Sequence, residues 1–329
     1  MKKSYRNTSS HYDEPLGKHA PRAQDFAMES SSLGNNSYQR QIDMPSEGKK
    51  KGGARNVILN IIMILAGIVL VGALAVLGII LYGYLHGTQV YDDIASHAVL
   101  EADATLEDMT IDWDYLRSQN KDTVGWIIVP GTSINYPIVQ GSSDEEYLYQ
   151  DFTHDEGLIV HKGSIFLHFE NKPDFSDDAN FIFGHNMNDN TMFAHLRDMT
   201  EADEFNKTRD IYVLTPERNY HARTFAIDVV ANTDVELLEM NFDTVDTFDK
   251  YIADRVADSE VPMPSDIKPH DFTKLFALLT CGDDYATTRV VLFGGVVDTA
   301  IPKNADDPQA GAKDTSVAAI TKRLEENAL

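Results

Sequence analysis

The chain contains a single cysteine, Cys281, in 329 residues. That excludes an intrachain disulfide and any multi-cysteine zinc or iron–sulfur site. Basic residues are also scarce, with 28 Lys and Arg against 52 Asp and Glu, a formal net charge of −24. Nucleic-acid binding needs Lys and Arg to neutralise phosphates, so this balance excludes that class of partner. Only 12 Pro and 20 Gly occur, which excludes a low-complexity chain. Carboxylates are plentiful, but no Asp-x-Asp-x-Asp-Gly loop with a closing Glu is present. Pairs such as Asp177-Asp178 and Asp283-Asp284 read as solvated turns, and no metal or cofactor is expected.

One long stretch has no charge at all. Residues 57–85 read VILNIIMILAGIVLVGALAVLGIILYGYL, and no Asp, Glu, Lys or Arg lies between Arg55 and Asp92. A bilayer core needs about 20 apolar residues in helix. The run is too long, and starts too late, for the roughly 7–15-residue apolar segment of a signal peptide. Residues 56–85 are therefore expected to be a single membrane anchor in contact with lipid. Lys49, Lys50, Lys51 and Arg55 precede the run, whereas Asp92, Asp93, Glu101 and Asp103 follow it. Positive charge stays inside, so the N-terminus is expected in the cytoplasm and the C-terminal part outside the cell. Residues 1–55 carry 10 Lys and Arg, many Ser and Asn, and few large apolar residues, as in a disordered tail. Residues 86–120 read as a helical stalk, with a helical-looking stretch at 90–104, residues 121–300 as the folded domain, and 301–329 as a C-terminal tail. Within that tail, residues 314–329 read as a short polar helix or as disorder.

The folded domain reads as mainly β. Short runs rich in Val, Ile, Phe and Tyr, bounded by Gly, Pro, Asn and Asp, recur at Val124–Val129, Ile134–Val139, Ser164–Phe169, Ala179–Phe183, Asp210–Thr215, Tyr220–Ala231, Lys274–Thr280 and Arg289–Val297. Eight short strands predict a barrel or sandwich. Alternation through Tyr220–Val229 predicts a strand with one face buried. One helix interrupts the series over Asp243–Asp258, where Val245, Phe248, Ile252 and Val256 share a face and Asp243 is the expected N-cap.

Cys281 ends one apolar run and Arg289 opens the next, with seven residues between them. If the two runs form a hairpin, both residues reach one rim. There a cation would favour the thiolate and stabilise an oxyanion. Of eight histidines beyond residue 90, His185 stands out, because it follows the strand Ala179–Phe183 through Gly184 and precedes Asn186. A strand-end histidine suits general acid and base work.

These residues carry a resemblance to a known family. Ala277–Cys281 followed by Arg289 resembles the Thr-x-Thr-Cys…Arg signature of sortases, and Phe183–Met187 resembles their histidine segment. Val124–Gly131, Ile134–Gln140, Gly163–Leu167 and Gly184–Met187 through Thr191–Phe193 are similar to class B members, and the helix at 243–258 sits where that class carries an extra helix. The resemblance covers roughly residues 110–298.

It implies an eight-stranded closed β-barrel with N-terminal helices and a cysteine transpeptidase on the outer face of a Gram-positive-type membrane. Cys281 would attack a Thr carbonyl in the C-terminal sorting motif of an exported protein. His185 would protonate the leaving amine and later deprotonate the incoming one. Arg289 would hold the substrate carbonyl or the oxyanion. The acceptor would be an amine of a cell-wall precursor or of a pilin. Thr280 and Asn186 are substrate-binding or supporting candidates, with Thr280 expected to touch the substrate. Asp283 matches an acidic position of some members, where it either orients His185 or Arg289 or is a solvated loop carboxylate. Leu279 stands where some class B members have a small hydroxyl residue. Two other readings stay open: a hydrolytic cysteine peptidase using the same three residues, and a non-catalytic anchored scaffold. The L,D-transpeptidases, another wall-active class, would need Ser-x-Gly-Cys-Arg where this chain has Leu-Leu-Thr280-Cys281-Gly282.

Overall fold

A computed structural model describes residues 53–96, 98–99, 104–281 and 287–305, with Val99 and Cys281 as backbone only. The tail expected over 1–55 falls, up to residue 52, outside the described residues, and so does the segment 314–329. In chain order the elements are α1 (Gly53–Ala95), β1 (Ala98–Val99), β2 (Thr110–Ile111), α2 (Trp113–Gln119), β3 (Thr123–Ile128), β4 (Asn135–Val139), α3 (Asp144–Tyr149), β5 (Ile165–Leu167), β6 (Ala179–His185), α4 (Ala202–Lys207), β7 (Asp210–Leu214), β8 (Asn219–Ala231), α5 (Val245–Asp258), β9 (Leu275–Cys281) and β10 (Thr288–Ala300).

Strands β3 to β10 close into a barrel in the order β10-β8-β7-β3-β4-β5-β6-β9. Closure removes the free edges that would otherwise template pairing with another chain. Two neighbouring pairs run parallel, β4 with β5 and β6 with β9. Trp126, Phe181, Phe225, Phe276 and Phe293 are fully buried in the core. All eight expected strands are present, with ends shifted by three residues or fewer.

Four local expectations are corrected. Asp177, read with Asp178 as a solvated turn, is buried, and its carboxylate accepts from the Asn171 and Asn241 side chains and the Lys172 amide. The helical stretch expected over 90–104 stops at Ala95, and Ala98–Val99 pairs instead with Thr110–Ile111. The N-cap of α5 is Thr244, not Asp243. The Thr244 hydroxyl accepts from the Thr247 amide and the Thr247 hydroxyl returns a contact to the Thr244 amide, a reciprocal cap that an adjacent carboxylate cannot replace. One-sided burial of β8 fails from Phe225 to Asp228, where all four residues are buried. A bulge opposite Phe293 and Gly294 breaks the alternation, and α5 packs against this strand.

Helix α1 is long and apolar enough to cross a membrane, and the side chains along its apolar stretch are exposed. Only its last turns enter the folded domain, through Gly87, Tyr91 and Ile94.

The packing of α5 has a pH consequence. Asp228 is buried on β8, and Arg255 of α5 places Nη1 3.3 Å from its carboxylate. Burial outweighs this partner and pushes the Asp228 carboxyl up to about 7. A carboxyl whose folded value lies above its unfolded one binds more protons in the native state between about pH 4 and pH 7. Its contribution therefore favours folding at the acid end and is lost as pH rises through 7. Asp228→Asn is expected to remove this dependence, so that the stability of the variant minus that of the wild type grows from pH 5 to pH 8, by up to about 3 kcal/mol. Urea unfolding midpoints at both pH values would check it, and a pH-independent difference would contradict it.

Candidate active site

The site forms where β6 and β9 end side by side. Their parallel register runs from Ala179 opposite Leu275 to His185 opposite Cys281. The register thus sets the expected base and nucleophile on adjacent strands as direct backbone partners. Such closeness needs a small residue beneath it. A Cβ on Gly184 would lie 2.4 Å from Ile165 Cδ1 and 2.8 Å from the Phe193 ring, so only glycine fits.

β10 supplies the cation. The antiparallel register pairs Val291 with Leu279, and the next step is closed by the Thr280 hydroxyl, which accepts from the Val290 amide at 2.9 Å. Continued one more residue, this register sets Arg289 across from Cys281. The Arg289 guanidinium donates to the Asn232 carbonyl and stands 5.9 Å from the centre of the Phe183 ring. Phe183 lies two residues before His185, so the aromatic face ties the cation to the strand that carries the histidine.

His185 is held from outside the barrel. Its Nε2 bonds the Leu148 carbonyl oxygen, and its ring lies 6.4 Å from that of Tyr149. Both partners come from the end of α3. That helix is fixed by buried Tyr147, whose hydroxyl donates to Asp122 at 2.8 Å and accepts from the Asn120 side chain. Because a carbonyl only accepts, the proton of this contact sits on Nε2, which fixes the orientation of the ring. Gly163, at φ +60°, forms the floor: a Cβ there would lie 2.6 Å from His185 Cδ2 and 2.5 Å from the Leu148 carbonyl. The Gly163 carbonyl in turn accepts from the Tyr91 hydroxyl at 2.7 Å, so the end of α1 braces this wall.

The structure therefore brings His185, Cys281 and Arg289 to one end of the barrel at backbone level. Thr280 is buried and commits its hydroxyl to β10. Asn186 continues β6 in a bridge with Met192. Asp283 lies outside the described residues. Leu148, Gly163, Tyr149 and Asn232 were not singled out from the sequence. Three of them act through backbone groups or through the lack of a side chain, which leaves no mark in a residue pattern. A cleft of about 670 Å³ lined by Arg218, Tyr220, Phe272, Lys274 and Val297 lies at the opposite end of the barrel, away from these residues.

The sortase domain family model matches residues 127–297. The chain belongs to the sortase family. Sortases are cysteine transpeptidases, and the chain's relatives in Listeria and Staphylococcus are sortases of class B. The chain is similar to sortase B of Listeria monocytogenes, with 30% identity over 227 residues that cover 67% of this chain and 89% of the relative. It is 28% identical to sortase B of Staphylococcus aureus over 187 residues, 56% of this chain and 74% of the relative. Among solved structures, a Staphylococcus aureus sortase B–substrate complex superposes with a TM-score of 0.51 at 28% identity, covering 56% of this chain and 84% of that one. The closed barrel implied by the sequence resemblance is the fold observed, and the sortase identity sets the reaction class.

Proposed function

We propose that this sortase is held in the cell membrane by residues 56–85, with its N-terminus in the cytoplasm and the barrel outside. It joins exported proteins bearing a C-terminal sorting signal to an amine of a cell-wall precursor or of a pilin. The Cys281 thiolate adds to the carbonyl of a Thr in the sorting motif, and Arg289 steadies the oxyanion. The C–N bond breaks as His185 gives a proton to the leaving amine. An incoming amine then attacks the thioester, passes its proton to His185, and frees the thiolate. Thr280 supports this arrangement by fixing β9 to β10, Asn186 by continuing the strand of His185, and Asp283 is kept as a candidate for orienting His185 or Arg289. The observation that carries the reading is the backbone pairing of His185 with Cys281, with Arg289 one strand over.

The test is a product analysis. The full-length enzyme is incubated with a library of quenched pentapeptides, with and without oligoglycine or a diaminopimelate-bearing amine, and the products are read by mass spectrometry. The expected result is cleavage at one motif with the amine joined to the Thr carbonyl. Hydrolysed product alone, across all amines offered, would favour the peptidase reading. An unreactive thiol would leave the scaffold.

A further inference from the structure

The turn between α3 and β5 carries apolar residues that the core does not use. Residues 156–161 read Glu-Gly-Leu-Ile-Val-His. Leu158 is 82% exposed and Ile159 46% exposed. The turn is a built feature. Gly157 sits at φ +67°, and a Cβ there would meet the Val160 carbonyl oxygen at 2.5 Å, while His161 Nδ1 closes back on the Glu156 carbonyl. It is also held against α1: a Cβ on Gly83 would lie 3.1 Å from Val160 Cβ, and Ile79, Tyr82, Leu158 and Ile159 share a cleft of about 150 Å³.

What lies beside α1 at this level decides the occupant. Tyr82, which lines that cleft, and Leu81 and Leu85 on the same stretch of helix are themselves exposed. A hydrocarbon core takes about 20 residues. Counted from Val57, the first apolar residue after the basic cluster, it ends near Val76, so Ile79–Leu85 fall in the outer interfacial zone. Tyr82 and Tyr84 are the aromatic residues favoured there. Charge offers no bond to lipid headgroups here, since Asp151 and Asp155 line the cleft and Glu156 opens the turn, so a contact with lipid falls to the apolar tip. The nearby cation Lys162 is taken up by Asp189 at 3.1 Å and Thr88 at 2.9 Å.

We propose that residues 157–160 insert their Leu158–Ile159 tip into the outer interface of the bilayer, as a second membrane contact beside α1. The inference rests on the reading that α1 spans the membrane. One helix leaves a domain free to rotate about it, and a second contact fixes that rotation. It also sets the height of the site, because ring contacts of 5.8 Å from His161 to Tyr149 and 6.4 Å from Tyr149 to His185 connect the turn to the histidine.

The test uses the full chain in neutral phosphatidylcholine vesicles. Cys281→Ser frees the thiol background, and an environment-sensitive fluorophore is attached at Leu158→Cys, at Ile159→Cys, or at the control Val297→Cys on β10 at the far end of the barrel. Flotation shows whether the chain is in the membrane. The expected result is vesicle-bound protein whose probes at 158 and 159 are blue-shifted and quenched at least about twofold by lipid-borne nitroxide, while the probe at 297 is not. High salt should change neither signal, since the insertion is apolar. Floating protein with equal quenching at 158 and 297 would overturn the inserted turn and leave the anchor standing. A blue shift that grows with protein concentration, without lipid quenching, would assign the tip to a second copy and overturn the proposal. Failure to float would overturn the anchor, and the second contact with it.

Discussion

Replacing Cys281 by alanine is expected to leave no measurable cleavage or ligation, a loss of about 10⁴–10⁶-fold in kcat. In this reading the chain's sole cysteine is the group that forms the acyl intermediate. His185→Ala is expected to lower kcat by about 10²–10⁴-fold, the usual worth of a positioned acid and base. Arg289→Lys keeps the charge but loses the planar fork that reaches Asn232 while facing Phe183. It is expected to cost about 10²–10³-fold. The three act as one unit, so the Cys281→Ala/His185→Ala double variant should be no slower than Cys281→Ala alone. Single-turnover assays that follow the peptide products of the full chain would check all four. An Arg289→Lys enzyme as fast as wild type would remove that residue from the chemistry.

Gly163→Ala is expected to be nearly as damaging, although position 163 touches no substrate in this reading. An alanine there must hold φ near +60° and place its methyl 2.5 Å from the Leu148 carbonyl and 2.6 Å from the His185 ring. Left-handed strain in a non-glycine residue costs about 1–3 kcal/mol. The clash can only be relieved by moving the carbonyl that orients His185, or the ring itself. A misplacement of about 1 Å at a reacting group lowers rates by about 10²-fold. The expected outcome is a fall in kcat with KM little changed, together with a lower melting temperature. A variant that melts early yet turns over normally would show that Gly163 serves the fold alone.

The strands were legible because their signal is local. Runs such as Ala179–Phe183 combine β-branched and aromatic residues with flanking turn formers, and the structure changes only where they end. His185 was legible for a related reason, since a glycine followed by a histidine at a strand end marks a close approach. The cap of α5 was not, because Asp243 and Thr244 are both good capping residues and only the backbone chooses between them. Burial of both faces of β8 was hidden too. It depends on a bulge against β10 and on a helix that follows later in the chain. The support around His185 is a carbonyl, a glycine floor and a tyrosine on α1, brought together across more than 70 positions in sequence. No pattern within one segment encodes that meeting.

The parallel pairing of β6 with β9 also bears on how the enzyme comes to life. His185 and Cys281 are about 100 residues apart in the chain and become neighbours only when the last strands zip into place. Contacts of such long range carry the largest loop-closure cost and are expected among the latest to form. Until then the cysteine is an ordinary thiol, with no histidine beside it and no arginine across from it. Thiol alkylation rate followed during refolding should therefore rise in step with the final, slowest phase. The newly made chain would stay chemically silent until its barrel is shut.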